Sequence, residues 1–234
     1  MAKRLIQQAR GRGGPTYRAP SFRYIARVKY PKQVPEAIIT DIIKCPGHSA
    51  PLAEIRYNNE TDFVLASEGI RVGDKIEIGE NVQIKNGNIT RLKNIPEGAS
   101  VFNIEHNPGD GGKFVRASGG VAKILAKQGN MILVLLPSKK EKFFQGECMA
   151  TIGMLAGSGR PEKPFLKAGT RYMAMRARNK LYPLTSGVSM NVVDHPFGSG
   201  RGSHKGRPTI ARRFAPPGAK VGMLHPRRSG RKKR

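Results

Sequence analysis

The chain reads as a mainly β protein: two small antiparallel barrels in succession, flanked by long, largely irregular basic ends. Three observations predict this. From residue 33 to about 155 short apolar runs are punctuated by Gly, Pro and Asn, the pattern of short strands joined by tight turns. Only one stretch, 163–178, invites a helix. The charge sits at the two ends and not in the middle.

The first barrel is expected over residues 33–94. Ala37 to Ile43, Leu52 to Tyr57, Phe63 to Leu65 and Lys75 to Ile78 are its strands; Ile76 and Ile78 alternate with Lys75 and Glu77 in the period of a half-buried strand. Pro46-Gly47, Asn58-Asn59, Gly73-Asp74 and Asn86-Gly87 supply turns. Asn94-Ile95-Pro96-Glu97-Gly98 marks a boundary, and residues 95–160 repeat the style as a second barrel. Its strands are Val101 to Ile104, Phe114 to Ala117, Val121 to Leu125, Met131 to Leu136, Lys142 to Phe144 and Met149 to Leu155. Gly129-Asn130 and Pro137 to Lys140 sit where hairpin turns are needed. Within Lys163 to Arg178, Pro164 and Gly169 limit any helix to about two turns, with Met173, Met175 and Arg176 on a basic surface. No fixed period of 20 to 50 residues is present, which excludes a solenoid or propeller.

The 234 residues include 42 Lys and Arg against 16 Asp and Glu, a formal charge of +26. Residues 1–32 hold nine basic and no acidic residues, and 33–150 hold 14 of each. Residues 151–194 hold seven basic and two acidic, and 195–234 hold twelve basic and none acidic. Self-repulsion on that scale disfavours a lone compact state and points to a polyanion. The ends, 1–32 and 161–234, also place Tyr17, Phe22, Tyr24, Phe197 and Phe214 among their Arg, Lys, Gly and Pro residues. Aromatic and guanidinium planes stack on unpaired bases, and glycine lets backbone approach phosphate. The ends are therefore expected to be nucleic-acid-binding arms and not inert tails.

Other classes are disfavoured. Cys45 and Cys148 form no CxxC, so neither a disulfide framework nor a local zinc knuckle is expected, and a reducing, cytoplasmic setting is the default. The N-terminus lacks the apolar core of a signal peptide, and the longest apolar run, Met131 to Leu136, falls far short of the roughly 18 residues of a membrane helix. Cys45 and His48 offer one pair of metal ligands where a structural zinc takes four; no metal or cofactor is expected. Gly109 to Phe114 lacks the further acidic positions of a calcium loop and reads as a tight turn. Gly198 to Pro208 lacks GxxxxGK followed by Ser or Thr, so it reads as a basic arm and not a nucleotide cradle. Asp194-His195 invites an RNA-directed enzyme as an alternative, but adjacent residues rarely reach triad geometry, and Ser199 and Ser203 sit among glycines with no strand-to-helix elbow. A general architectural nucleic-acid-binding protein is the other alternative.

Four long segments, GRGGPTYRAPSFRY, NIPEGASVFNIEHNPGDGGKFVRASG, ATIGMLAGSGRPEKPFLKAG and VSMNVVDHPFGSG, together resemble the universal large-subunit ribosomal protein L-two family in its archaeal form, from about Lys3 to Arg231. The resemblance implies an OB-type barrel followed by an SH3-like barrel lying on large-subunit ribosomal RNA, with both terminal extensions penetrating it. It implies a structural, non-enzymatic role in translation within the ribonucleoprotein: subunit association at a bridge to the small subunit, tRNA positioning and support of an RNA-based peptidyl transferase centre, beside neighbouring ribosomal proteins. By motif match the family's histidine of the DHP motif is His195, a candidate supporting residue. Val192 stands where bacterial members have Pro, Phe197 where they have His, and Ser199 interrupts the glycine run. No membrane or small-molecule substrate is implied.

The RNA-binding residues expected on these grounds are Lys3, Arg4, Arg10, Arg12 and Arg18 at one end. At the other they are Asp194, His195, Arg201, Lys205, Arg207, Arg212, Arg213, Lys220, Arg227 and Arg228. The cations would replace RNA counterions. His195 would bond a phosphate or a base, and recognition would rest on shape, 2′-hydroxyls and unstacked bases.

Overall fold

A computed structural model describes residues 5–18, 21–31, 34–203, 210–216 and 218–222. The chain divides into two units, one of residues 21–166 and one formed by 1–20 together with 167–234.

The 21–166 unit is a ten-stranded sheet. Its strands are β1 (Glu36–Ile43), β2 (Leu52–Tyr57), β3 (Glu60–Leu65), β4 (Lys75–Gly79), β5 (Ile89–Arg91), β6 (Ser100–Phe102), β7 (Ala122–Gln128), β8 (Met131–Leu135), β9 (Glu141–Gln145) and β10 (Met149–Ile152). They are ordered β3-β2-β1-β4-β5-β10-β6-β7-β8-β9. Every pairing is antiparallel except β4 with β5. The β2–β3 hairpin closes at Asn58 and Asn59, both with positive φ (40° and 63°), the geometry of a two-residue turn whose twist matches the strands. In β1 the pairing register with β2 shifts between Ile39 and Asp41, so that Thr40 is the extra residue. A second shift, between Ile124 and Ala126, interrupts the β7–β8 ladder. Such bulges bend a strand and tighten its twist.

Alternation along the strands sorts side chains into cores. Ala37, Ile39, Ile55, Val64, Ile76, Ile78 and Ile89 fill one cluster, and Leu92, Ile95, Val101, Ile104, Ile124, Ile132, Val134 and Phe144 fill another. A third, with Val28, Cys45, Leu52, Leu65, Phe102 and Leu155, draws on both sequence halves. Each fully buried large apolar side chain contributes about 1.5–3 kcal/mol.

Two departures from the sequence reading have local causes. Phe114 to Ala117 is not a strand: Val115 has φ +56°, which breaks an extended run, and Phe114 alone forms a bridge, to Ile104. The strand β5, in contrast, is absent from the sequence reading because it buries Ile89 and the polar Thr90 side by side, leaving neither an apolar run nor an alternation to read. It nevertheless joins the two halves of the sheet, lying between β4 and β10.

Buried polar groups tie down the Glu105–Gly112 loop. Glu105 is buried and accepts hydrogen bonds from the backbone N–H groups of Gly111 and Met149, each at 2.9 Å, and of Gly109 at 3.1 Å. Asp110 accepts from the N–H groups of His106 and Asn107 at the start of the same loop. Tyr30 donates to the Asn103 carbonyl at 2.6 Å, anchoring the segment that leads into β1.

In the other unit, α1 spans Ile6–Gly11 and α2 spans Ala168–Ala177. The helix α2 begins four residues past Pro164 and runs ten residues, nearly three turns. No side chain on α2 is buried. Among the described residues no helix is long and apolar enough to cross a membrane.

Candidate nucleic-acid interface

The unit built from the two ends holds 22 Lys and Arg and a single acidic residue, Asp194, a formal +21; the 21–166 unit holds 20 basic against 15 acidic residues, +5. The ion pairs Lys75–Glu36, Arg91–Glu80, Arg91–Glu147 and Lys93–Glu147 all lie in the 21–166 unit. There, hydrogen bonding to Lys93 first, and the charge of Arg91, hold the Glu147 carboxyl below its ordinary range.

The expected cations fall on local structure that turns them outward. Arg10 closes α1 and Arg12 caps it. Arg18 follows a single 3-10 turn at Pro15–Tyr17. Arg10, Arg12, Arg18, Arg201, Arg212, Arg213 and Lys220 are all exposed. None of these seven has a carboxylate partner among the described residues. Lys3, Arg4, Lys205, Arg207, Arg227 and Arg228 lie outside the described residues.

Residues near the two ends are hydrogen-bonded to each other. Asn179, with φ +50° just past α2, donates its side-chain amide to the Arg18 carbonyl, and reaches the Pro15 carbonyl at 3.5 Å. The sequence reading did not single out Asn179. Its only local signal is an Asn at the end of a helix, a residue that tolerates the left-handed region. Arg171 on α2 stacks on Tyr182 at 5.3 Å, and Arg213 on Phe214 at 5.4 Å. Of the five aromatic residues noted among the basic ends, Phe22 and Phe214 are 84% and 90% exposed. Tyr24 instead packs on the Leu52 and Phe102 cluster, and Phe197 on His195.

The Ser186–Ser199 segment folds around His195. Its backbone turns at Asn191, whose carbonyl accepts from the N–H groups of Asp194 and His195 at 2.9 and 3.1 Å. Ser199 N–H donates to the Met190 carbonyl, and Ser199 Oγ accepts from Val192 N–H at 3.2 Å. Gly198 lies so close to the Asn191 backbone that a Cβ there would overlap it. The imidazole is clamped between the Phe197 ring, 5.0 Å away between centroids, and Gly187, where any Cβ would overlap the ring. Phe197 N–H donates to His195 Nδ1 at 3.1 Å. A backbone N–H can only donate, so Nδ1 carries the lone pair, and the neutral ring holds its proton on Nε2.

That tautomer bears on the catalytic alternative. In a Ser-His-Asp arrangement the carboxylate accepts the Nδ1 proton, whereas here Nδ1 is itself the acceptor. Ser199 is engaged with Val192 in the same turn. Gly187 was missed because no motif announces a glycine whose role is to leave room for a ring eight residues away.

The two cysteines are buried and free, and no group of three or more His, Cys, Asp and Glu able to hold a metal occurs among the described residues. Burial lowers the His48 pKa, and the charge of Arg116 adds to that. Chemically, a unit whose exposed Arg10, Arg12, Arg18, Arg201, Arg212, Arg213 and Lys220 have no carboxylate partner among the described residues, with Phe214 turned outward, is suited to hold a polyanion.

Comparison with known proteins agrees with this architecture. Residues 85–214 match the family model described as "Ribosomal Proteins L2, C-terminal domain". The "Large ribosomal subunit protein uL2" of Halorubrum lacusprofundi is 49% identical over 236 residues, covering 99% of this chain and 98% of that protein. Proteins of the same name from Methanosphaera stadtmanae and Methanococcoides burtonii are 48% and 46% identical, each covering 99% or more of this chain and all of the relative. The chain belongs to the L2 (uL2) family of ribosomal proteins, in its archaeal form. Its β body is accordingly an OB-type barrel followed by an SH3-like barrel.

Proposed function

We propose that this chain is a structural, non-enzymatic constituent of the large ribosomal subunit, in the cytoplasm, that binds large-subunit ribosomal RNA through the unit built from its two ends. The observation that carries this reading is the charge partition: 22 basic residues against one acidic in that unit, beside a β body with 15 acidic residues. The names of the relatives support the subunit assignment.

The barrels fold on their own apolar strands. The end unit buries little: α2 has no buried side chain, and exposed Arg10, Arg12, Arg18, Arg201, Arg212, Arg213 and Lys220 face solvent. Its order is therefore gained when RNA phosphates displace counterions from these cations. Lys3, Arg4, Lys205, Arg207, Arg227 and Arg228 extend the same footprint along the sequence. With cations at both ends, the protein acts as a clamp between RNA segments, reading shape and unstacked bases. In this role it supports subunit association at a bridge to the small subunit, tRNA positioning and the RNA-based peptidyl transferase centre, next to other ribosomal proteins. His195, with Asp194 beside it, supports that centre as a fixed hydrogen-bonding group and not as a catalyst.

The test is sedimentation of cell extract in a high-salt gradient with immunodetection of the chain. Co-migration with the large subunit is expected; recovery only at the top of the gradient refutes the assignment.

A further inference from the structure

Within the unit formed by the two ends, α1 and the 181–195 segment enclose an open cavity of about 550 Å³. Leu5, Ile6, Leu181 and Leu184 supply apolar walls, and Asn191 and His195 supply polar edges. We infer that this cavity receives an unpaired purine base of the bound RNA. The inference rests on the RNA-binding reading above and names a subsite within it.

Four observations converge on a base. The volume lies within the roughly 300–1,000 Å³ of small-ligand sites, which a nucleotide fits and a single water-mediated contact does not need. The walls leave apolar surface open to solvent, with Ile6 50% and Leu184 66% exposed, in a unit otherwise rich in exposed cations. A flat heterocycle attached to a phosphate satisfies both, whereas an apolar protein segment would meet a +21 field without compensation. The polar edges suit a base: His195, with Nδ1 occupied by Phe197 N–H, presents Nε2–H as a donor, and a purine edge offers ring-nitrogen acceptors. The Asn191 amide has both a donor and an acceptor, the combination that pairs with adenine. Finally, Arg10 stands one turn along α1 from Ile6, about 6 Å along the helix axis. That is the order of separation between a base and its own phosphate, so one short helix can hold both.

The chain contains no tryptophan, which allows single-Trp reporters. Leu184→Trp places one at the cavity and Phe214→Trp one on an exposed arm position, both in the full-length chain. The probes are two RNA hairpins identical except that one carries a single bulged adenine, titrated at low salt with fluorescence anisotropy as an independent measure of binding. Both hairpins should quench Phe214→Trp, but only the bulged one should quench Leu184→Trp, because stacking needs an extruded base. Adding Asn191→Ala to the Leu184 reporter should weaken that quenching about fivefold, the loss of one hydrogen bond. If Phe214→Trp and anisotropy respond while Leu184→Trp responds to neither hairpin or equally to both, the base subsite is wrong and RNA binding stands. If neither reporter nor anisotropy responds, the RNA-binding reading itself fails.

Discussion

Gly187→Ala moves His195 without altering it. A Cβ at residue 187 would lie 2.6 Å from His195 Cγ and closer still to Nδ1 and Cε1. Ordinary carbon contacts begin near 3.5 Å, so the ring must retreat by about 1 Å. The Phe197 N–H···Nδ1 bond, 3.1 Å in the native chain, would then stretch past the limit of a hydrogen bond. Its loss costs about 0.5–1.5 kcal/mol of local order. The barrels, which belong to the other unit, should be untouched. Long-range 15N–1H correlation spectra of the protein bound to ribosomal RNA read the imidazole directly. Native His195 should show an Nε2–H pattern with a hydrogen-bonded Nδ1, and Gly187→Ala should lose the downfield Phe197 amide shift and mix the tautomers. Large subunits assembled with Gly187→Ala should lose activity alongside those assembled with His195→Ala. An unchanged His195 spectrum, or an Nδ1–H tautomer in the native chain, refutes the clamp.

Three further outcomes follow from the same geometry. Glu105→Gln keeps an oxygen for Gly109 and Met149 N–H but turns an amide N–H₂ toward Gly111 N–H, 2.9 Å from the present Oε1. The clash should destabilise the barrels by about 2–3 kcal/mol in denaturant titrations, and a midpoint unchanged from wild type would refute the buried clamp. Arg212→Ala with Arg213→Ala should weaken RNA binding and flatten the log–log salt dependence by about 0.7–0.9 for each phosphate left without its cation; an unchanged slope removes these two from the footprint. Burial, with a smaller push from Glu105, raises the Cys148 thiol from 9.0 to about 11. Because the unfolded chain gives up that proton first, stability should fall as pH rises through about 9 to 11 and be indifferent to this group below that window. In the native state Cys148 should resist alkylation at pH 8.

Much of the β body is legible from local pattern. Ile76 and Ile78 alternate with Lys75 and Glu77, and the structure buries the first pair. Leu52 to Tyr57 is a strand over those very residues, and Asn58-Asn59 turns because both residues tolerate positive φ. Alternation and turn chemistry act over two to six residues, so a linear reading finds them. Where one residue departs from its neighbours the reading fails, as at Val115, and β5, whose buried Thr90 sits beside buried Ile89, shows neither an apolar run nor an alternation.

The site divides along the same line. Charge is additive along a chain, so the sequence alone determined that the excess lies outside residues 33–150, and its motifs determined the family. Contacts between distant residues are not additive, and only the tertiary structure decided them. Asn179 reaches Pro15 and Arg18, more than 160 positions away. Glu105 gathers amides from its own loop and from Met149. Gly187 leaves the space in which His195 is held by Phe197. A residue's type limits the bonds it can make, but which partner it meets depends on chain closure, and that is settled only when the units fold.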